Sequence, residues 1–457
     1  MSEQGLRAAQ QKMADAQIAQ AAIDVFTAYY HQLEEGVTGF IAEDSIEPLL
    51  QPDLLSEVSI SSEQAKEALA ATVMIKLNGG LGTSMGMDRA KSLLPVRNGR
   101  TFLDLIVDQV RSARAAYQVK LPLVFMNSFR THDDTLAALS AYDDLAVDEL
   151  GLDFVQSQEP KLLADDLTPV EWPADPSLEW CPPGHGDLYT SLVSSGVLDR
   201  LIELGYRYAS VSNSDNLGAA PNATIAGWFA VSGAPYAAEI CRRTAADRKG
   251  GHLAIRKADG RLILRDTAQT ASSEMAYFTD EHRHPYFHTN NLWFELRALA
   301  DTLAERHGVL GLPMIKNVKT VDPSDPNSPE VVQIESAMGA AIEVFEGATA
   351  IGVGRERFLP VKTTNDLLLL RSDVYEVAAD GRLVRQDAPA PLVDLDSRFY
   401  KTIAGFEQRF GEGAPSLKEA QRLKVEGDWT FGAGVAVVGD VTLSDPGEPQ
   451  TVPAGST

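Results

Sequence analysis

Cysteine is nearly absent. Cys181 and Cys241 are the only two in 457 residues. That is too few for a disulfide framework and fits a reducing cytoplasm. Long apolar runs are missing as well. No stretch approaches the ~20 residues that span a bilayer, so no membrane partner is expected. The opening MSEQGLRAAQQKMADAQ joins no basic segment to an apolar one, so no secretory signal is expected. Positive charge is scarce: 40 Lys and Arg stand against 64 Asp and Glu, a net charge of −24. Such a field opposes nucleic acid and anionic membranes. An anionic substrate then needs a local positive island or a metal cation.

What is present is enough apolar sequence, 44%, for a globular protein, in a chain long enough for two or three domains. Residues 1 to about 70 read as helical: GLRAAQQKMADAQIAQAAIDVFTAYYHQLEEG has strong helix formers at helical spacing, and SSEQAKEAL opens with a capping-box pattern. From 71 to about 385, strand-like TVMIKL, LPLVFMNS, LDFVQSQ, YRYASVSNSD and APYAAEICRR alternate with helical TFLDLIVDQVRSARAAY, HDDTLAALSAY and GDLYTSLVSSGVLDRLIELG. That alternation predicts an α/β domain with a largely parallel sheet, binding groups gathering at the strands' carboxyl ends. In 386–457, LKVEGDWTFGAGVAVVGDVTL has short β-branched runs broken by glycine at nearly hexapeptide intervals, which suggests turns of a left-handed β-helix.

The segment Thr72 to Val96, TVMIKLNGGLGTSMGMDRAKSLLPV, is the most informative. An apolar strand runs into Gly79, Gly80, Gly82 and Gly86, with Lys91 beyond. Glycines let backbone N–H groups approach phosphate oxygens, and the lysine adds a mobile cation. A Walker A loop fails, because Met87-Asp88 follows Gly86. The dinucleotide fingerprint is weak. The glycines give G-x-G-x-x-x-G, and Asp104, the acid at about the right separation, lies in a helical pattern. A nucleotidyltransferase loop, L-x-G-G-x-G-T-x-M-G with a downstream lysine, fits every position.

KLNGGLGTSMGMDRAKS resembles the signature loop of the eukaryotic-type UTP–glucose-1-phosphate uridylyltransferases, or UDP-glucose pyrophosphorylases. NSFRTHDDT, CPPGHGD, SNSDNLGA, HTNNLW and FLPVKTTNDLLL resemble further blocks of that family, in family order, so the likeness spans roughly Thr72 to Tyr375. The resemblance implies a Rossmann-like, GT-A-like catalytic domain with a C-terminal β-helix through which such enzymes often oligomerise. It implies Mg²⁺-dependent transfer between UTP and glucose 1-phosphate, giving UDP-glucose and pyrophosphate. It places Leu77, Asn78, Gly79, Gly80, Gly82, Thr83 and Lys91 on the nucleotide, with Gln158 and the backbone of Gly184 against uracil. Asn213 would sit near the ribose or sugar. His185 would face the phosphate of glucose 1-phosphate, and Lys362 would bridge nucleotide and sugar phosphate. Gly251, Asp266, Asn290 and Asn291 would meet the hexose.

The residues themselves leave alternatives beside these roles. Asp215 ends a strand where a carboxylate suits Mg²⁺, and Asn216-Leu217-Gly218 equally suits an Asx-turn; the resemblance implies the metal, with Asp215 beside the nucleotide. A lone histidine such as His185 is more often structural. An exposed Gln158 would by default bind nothing, and Asn290 and Asn291 are equally suited to capping a turn. His132 reads as a helix start rather than part of a metal cluster. Two positions depart from the family: Asp266 stands where glutamate is usual, and His288 where asparagine is usual. Both bear on which sugar is used: galactose 1-phosphate and N-acetylglucosamine 1-phosphate are the alternatives. A nucleotide-binding protein without turnover is the alternative to an enzyme.

Overall fold

The computed structural model describes residues 2–37, 39–244, 247–248, 250–385 and 390–457. Seven strands make the spine of one sheet: β1 (Thr72–Asn78), β2 (Leu123–Asn127), β3 (Asp153–Val155), β4 (Tyr208–Asn213), β5 (Tyr236–Arg242), β6 (Tyr286–Glu295) and β7 (Thr349–Val353). Their order is β7-β5-β6-β4-β1-β2-β3. β6 runs antiparallel to β4 and β5, and the other pairings along that path are parallel. The mixed, mainly parallel α/β sheet expected from the alternation is therefore present. HTNNLW, which carried no strand pattern in sequence, forms the middle of β6.

Pleating divides the core between two layers. Val73 and Ile75 of β1 join Val124, Ala209 and Leu292 on one face. Met74 joins Phe125, Tyr208 and Trp293 on the other. Lys76 shares the Met74 face and is fully buried. Its ammonium donates to Ser212 Oγ and the Ala219 carbonyl, both at 2.8 Å. Burial pushes it down to about 7. On the same face lies Glu239, also fully buried, which accepts from Arg357 (2.7 and 3.0 Å), Trp293 Nε1 (3.0 Å) and Asn291 Nδ2 (3.2 Å). A buried pair is tolerable only when its remaining lone pairs are satisfied in this way.

Helices Ser2–Asp15, Gln20–Glu34 and Ser62–Ala70 occupy much of the N-terminal stretch. Ser61 caps the last, exchanging hydrogen bonds with Gln64 as the Ser-x-x-Gln pattern predicts. The helical reading needs correction between them. Ile46–Pro48 pairs with His252–Arg256, and Asp53–Leu54 extends the main sheet beyond β7. Pro48 and Pro52 remove helical N–H donors there. Asp104, weighed as a ribose ligand, instead completes the capping box of helix Phe102–Tyr117 with Thr101.

Toward the C-terminus, Ser416–Val425 pairs in parallel with Leu392–Leu395 and with Ala436–Leu443. Trp429–Phe431 pairs in parallel with Gln450–Val452. Phe406, Phe410, Leu417 and Phe431 belong to the same apolar cluster as Met74, so this region packs onto the sheet domain. The boundary expected near 385 runs into residues 386–389, outside the described residues. No helix among the described residues is long and apolar enough to cross a membrane.

Candidate active site

Three parallel strands end side by side, with Leu77 opposite Asn213 and Asn78 opposite Asn127. The Asn78 amide ties them together. It donates to Asn127 Oδ1 (2.8 Å) and Thr135 Oγ1 (2.9 Å) and accepts from Ser214 Oγ (3.0 Å). Asn78 is buried, so its side chain braces the strand ends and only its backbone borders the loop.

The glycine-rich loop leaves β1 and folds back. Gly82 and Gly86 adopt left-handed conformations, φ 68° and 72°, on either side of the turn Thr83–Met85. That geometry strains any residue with a Cβ. The fold-back lets the Lys91 N–H reach the Gly80 carbonyl at 3.1 Å. Lys91 Nζ then meets Asp215 Oδ2 at 2.6 Å and the Val361 carbonyl. Both side chains are shielded, at 16% and 18% exposure, so the pair is screened less than a surface ion pair. Asp215 Oδ1 is buried and has no protein hydrogen-bond partner.

Lys91 and Asp215 close one end of a cavity of about 280 Å³, whose lining includes Leu77, Gly79, Gly80, Gln156, Gly184, His185 and Asn213. The expectation for Gln158 meets a different residue here. The glutamine in this cavity is Gln156, and Gln158 is not among its lining residues. A Cβ on Gly79 would lie 3.1 Å from the Gln156 amide, and the Gln156 N–H donates to the Asn127 carbonyl at 2.7 Å. Strand period was the available signal. Gln156 directly follows β3, at a carboxyl end, whereas Gln158 lies beyond it.

The CPPGHGD segment forms the opposite wall. Gly184 has φ 80°, and a Cβ there would lie 2.6 Å from the Ser336 carbonyl, so only glycine fits. His185 Nδ1 accepts the Met338 N–H at 2.9 Å, which leaves its proton on Nε2. Burial pushes this imidazole down to about 4, so it is neutral at pH 7. Asp187 accepts from Ser157 N–H and Ser191 Oγ, both at 2.6 Å, which pins the Gln156 segment to the His185 wall. Burial raises this carboxyl to about 6.

Lys362 does not line the cavity. It is exposed, at the start of helix Thr364–Arg371, whose capping box pairs Thr363 with Asp366. Asp366 also accepts the Lys362 N–H at 2.8 Å. The preceding residue, Val361, is the one that holds Lys91. Lys362 is thus one residue from the charged pair without forming part of it.

The residues expected at the hexose gather around β6. His288 N–H donates to the Gly251 carbonyl (2.9 Å), and a Cβ on Gly251 would meet Asp266 Oδ2 at 3.0 Å. Asn290 sits at φ 59° and donates its N–H to His288 Nδ1 at 3.0 Å. His288 Nε2 is buried without a partner, and burial lowers the imidazole to about 4. Met338-Gly339 connects this cluster to His185: Met338 binds His185, and a Cβ on Gly339 would lie 3.0 Å from His288 Nε2. Two expected ligands are otherwise engaged. Asp266 caps the turn Thr267–Gln269 through its carboxylate. Asn291 is buried, donating to Glu239 and the Arg357 carbonyl and accepting from Asn216 Nδ2. Both of its amide N–H donors are used within the protein, and its oxygen already takes one bond.

Residues 23–437 match the model of the family described as UTP–glucose-1-phosphate uridylyltransferase. The potato (Solanum tuberosum) UTP–glucose-1-phosphate uridylyltransferase is 40% identical over 397 residues, 86% of this chain and 80% of that one. A probable UTP–glucose-1-phosphate uridylyltransferase of Schizosaccharomyces pombe is 36% identical over 428 residues, 92% of this chain and 82% of its own. Among solved structures, a variant of Leishmania major UDP-glucose pyrophosphorylase in complex with UDP-glucose superposes with TM-score 0.92 at 43% identity, covering 99% of this chain and 97% of that one. The Trypanosoma brucei UDP-glucose phosphorylase gives TM-score 0.91 at 40% identity over the same shares. The glycine-rich loop, the Lys91–Asp215 pair and the CPPGHGD wall lie within the matched span, and the chain belongs to the UTP–glucose-1-phosphate uridylyltransferase family.

Proposed function

We infer that the chain transfers the uridylyl group of UTP to glucose 1-phosphate, releasing pyrophosphate and forming UDP-glucose. A phosphate oxygen of the sugar forms a bond to the α-phosphorus. The bond from that phosphorus to the oxygen bridging to the β-phosphate breaks, and pyrophosphate leaves with the electron pair. The attacking phosphate is already an anion, so no covalent enzyme intermediate is required. Positioning and charge stabilisation supply the catalysis.

The observation that carries the reading is the shielded Lys91–Asp215 pair closing a glycine-floored cavity in a chain of net charge −24. Lys91 is the cation for the UTP phosphates, and the backbone of Gly79, Gly80, Gly82 and Thr83 borders them. Gln156 and the Gly184 backbone face uracil. Neutral His185 offers its Nε2–H to the sugar phosphate. Lys362 approaches from the edge and neutralises phosphate charge once both substrates are bound. Asn213, Gly251, Asp266 and Asn290 border the sugar.

Magnesium fits at Asp215. Its buried Oδ1 has no partner, and Mg²⁺ is commonly held by one or two carboxylates with substrate phosphates completing its shell. When bound, it supplies neutralisation of phosphate charge. The parallel C-terminal rungs, with Val425 opposite Leu443 eighteen residues later, are consistent with a short β-helix. Ala436–Leu443 is an outer strand of its sheet and a natural site for self-association. Both cysteines are buried and free, which suits a cytoplasmic setting.

Purified protein given UTP, Mg²⁺ and glucose 1-phosphate should release pyrophosphate only when all three are present. UTP binding without release, across a panel that includes galactose 1-phosphate and N-acetylglucosamine 1-phosphate, would overturn the enzymatic reading.

A further inference from the structure

Behind the active site lies a second cavity, of about 760 Å³, that none of the roles above uses. Its lining combines Leu217, Pro221, Leu359 and Val384 with four arginines, Arg355, Arg357, Arg382 and Arg385. Glu356 is the acidic side chain in that lining. Two of the arginines are engaged: Arg357 with buried Glu239, and Arg355 with Asp247 at 2.7 and 2.8 Å. Arg382 shares the exposed Asp380 at 2.7 Å. Arg385 lies against Tyr375 and has no carboxylate partner among the described residues. Arg382 and Arg385 flank Leu383 and Val384, and Val384 is 43% exposed. Arg382 and Arg385 are both exposed, so their guanidinium groups, one shared with Asp380 and one against Tyr375, can turn toward an anion beside the apolar floor.

We propose that this cavity is an effector site for a small organic anion, a phosphate or carboxylate head on an apolar body, and that its occupancy is felt at the active site. The head group is held by Arg382 and Arg385, which suit planar or tetrahedral oxyanions. The body lies on Leu217, Pro221, Leu359 and Val384. The volume is within the range of small-ligand pockets.

The coupling follows from the chain path. Leu217 and Gly218 come two and three residues after Asp215, and Leu359 comes two residues before Val361, which holds Lys91. Asn216 staples the two segments. Its Oδ1 accepts from Leu359 N–H (2.8 Å) and Gly218 N–H (3.2 Å), and its Nδ2 donates to the Arg357 carbonyl at 3.2 Å. A ligand pressing on Leu217 and Leu359 therefore acts on both supports of the Lys91–Asp215 pair. Differential affinity for two arrangements of those supports is what such coupling requires.

Titration calorimetry of the intact protein with phenyl phosphate, and separately with benzoate, tests the site without relying on turnover. Binding of at least one probe is expected in the wild type and in Lys91→Ala alike. It should weaken about tenfold or more in the exposed double variant Arg382→Ala/Arg385→Ala, whose melting temperature should stay near wild type. The stronger probe identifies the head group. Binding of neither probe by the wild type overturns the site. So does binding lost in Lys91→Ala and kept in the double variant, since the probe would then occupy the active site. The same probe should change pyrophosphate release at least about twofold in the wild type and leave the double variant unchanged. Intact binding with unchanged release would overturn the coupling.

Discussion

The two ends of the cleft are built differently. At the proposed nucleotide end, the groups sit on one contiguous strand and loop, Leu77 to Lys91, and on the ends of neighbouring parallel strands. Backbone geometry alone brings Gly79, Gly80, Asn213 and Asp215 together, and the side chains that matter point into the cavity. At the hexose end, the candidates come from a hairpin, a turn and the middle of antiparallel β6. Two of them, Asp266 and Asn291, are engaged by the protein itself. A strand's carboxyl end commits residues to a site by topology. Within a strand, alternation turns every second residue away, so identity alone does not say which amide faces the ligand.

The largest effect should come from the nucleotide end. Lys91→Ala removes the cation and leaves Asp215 without its partner. By comparison with the loss of one preorganised donor elsewhere, turnover should fall by about 10²–10³-fold. The melting temperature should also fall, by the equivalent of about 1–3 kcal/mol, because the shielded Asp215 loses its partner, so turnover is compared in the folded fraction. Near-normal pyrophosphate release from the folded variant would remove the basis for placing chemistry at this end.

Acid probes the wall that joins the two ends. His185 and His288 are lowered to about 4 by burial. The unfolded chain takes up protons at both below about 6.5, while the folded chain resists until about 4. The histidine contribution is therefore complete above 6.5 and declines as pH falls toward 4, by on the order of 3 kcal/mol per histidine, while Asp187, raised to about 6, gains in the same range and offsets part of it. Chemical denaturation at pH 7.5 and pH 5 measures the loss. His185→Asn and His288→Asn should each flatten the curve. The pH profile of turnover should show no inflection near 6.5 from His185, because that imidazole stays neutral throughout. An inflection there that His185→Asn abolishes would mean the imidazole is wetter than its Met338 contact implies.

The asymmetry also explains what the sequence made legible. The parallel sheet, the Ser61 cap and the Gly79–Lys91 loop were readable because each rests on local pattern: period, cap spacing or glycine conformation. The strand character of β6 was not, because HTNNLW is polar on residues that are buried, and polar burial is stabilised by partners far away in sequence. Thr289 donates to the Glu239 carbonyl, and Asn291 to the Glu239 carboxylate. The Glu239–Arg357 pair itself joins residues 118 apart, and no window of sequence shows it. The strands Ile46–Pro48 and Asp53–Leu54 were hidden for a similar reason. Segments so short have little pattern and exist because a sheet edge accepts them.

Asn290 and Asn291 test the hexose end directly. Asn291→Ala should cost about 1–3 kcal/mol of stability, since it leaves Glu239 and Asn216 short of partners. The KM for glucose 1-phosphate should move little in the folded fraction. Asn290→Gly preserves the left-handed backbone at φ 59° and removes only the amide. Its stability should stay near wild type while the sugar KM rises. Thermal melts and kinetics on the two variants separate a bracing amide from a binding one. The reverse pattern would return Asn291 to the site.

The finest test compares two glutamines two residues apart. Both follow a strand, both carry the same amide, and only Gln156 lines the cavity. Asp187 holds its neighbour Ser157 at 2.6 Å, so the position of Gln156 is fixed before any ligand arrives. Preorganisation of that kind contributes to binding in the ground state and the transition state alike. Gln156→Ala should therefore raise the KM for UTP by about tenfold, the scale of one neutral hydrogen bond, with kcat nearly unchanged. Gln158→Ala should leave both within about twofold. Equal effects from the two would mean that the loop after β3 rearranges on binding. Then the amide that lines the cavity would not be the one that reads the base, and the pinning of Ser157 by Asp187 would not fix the loop through binding.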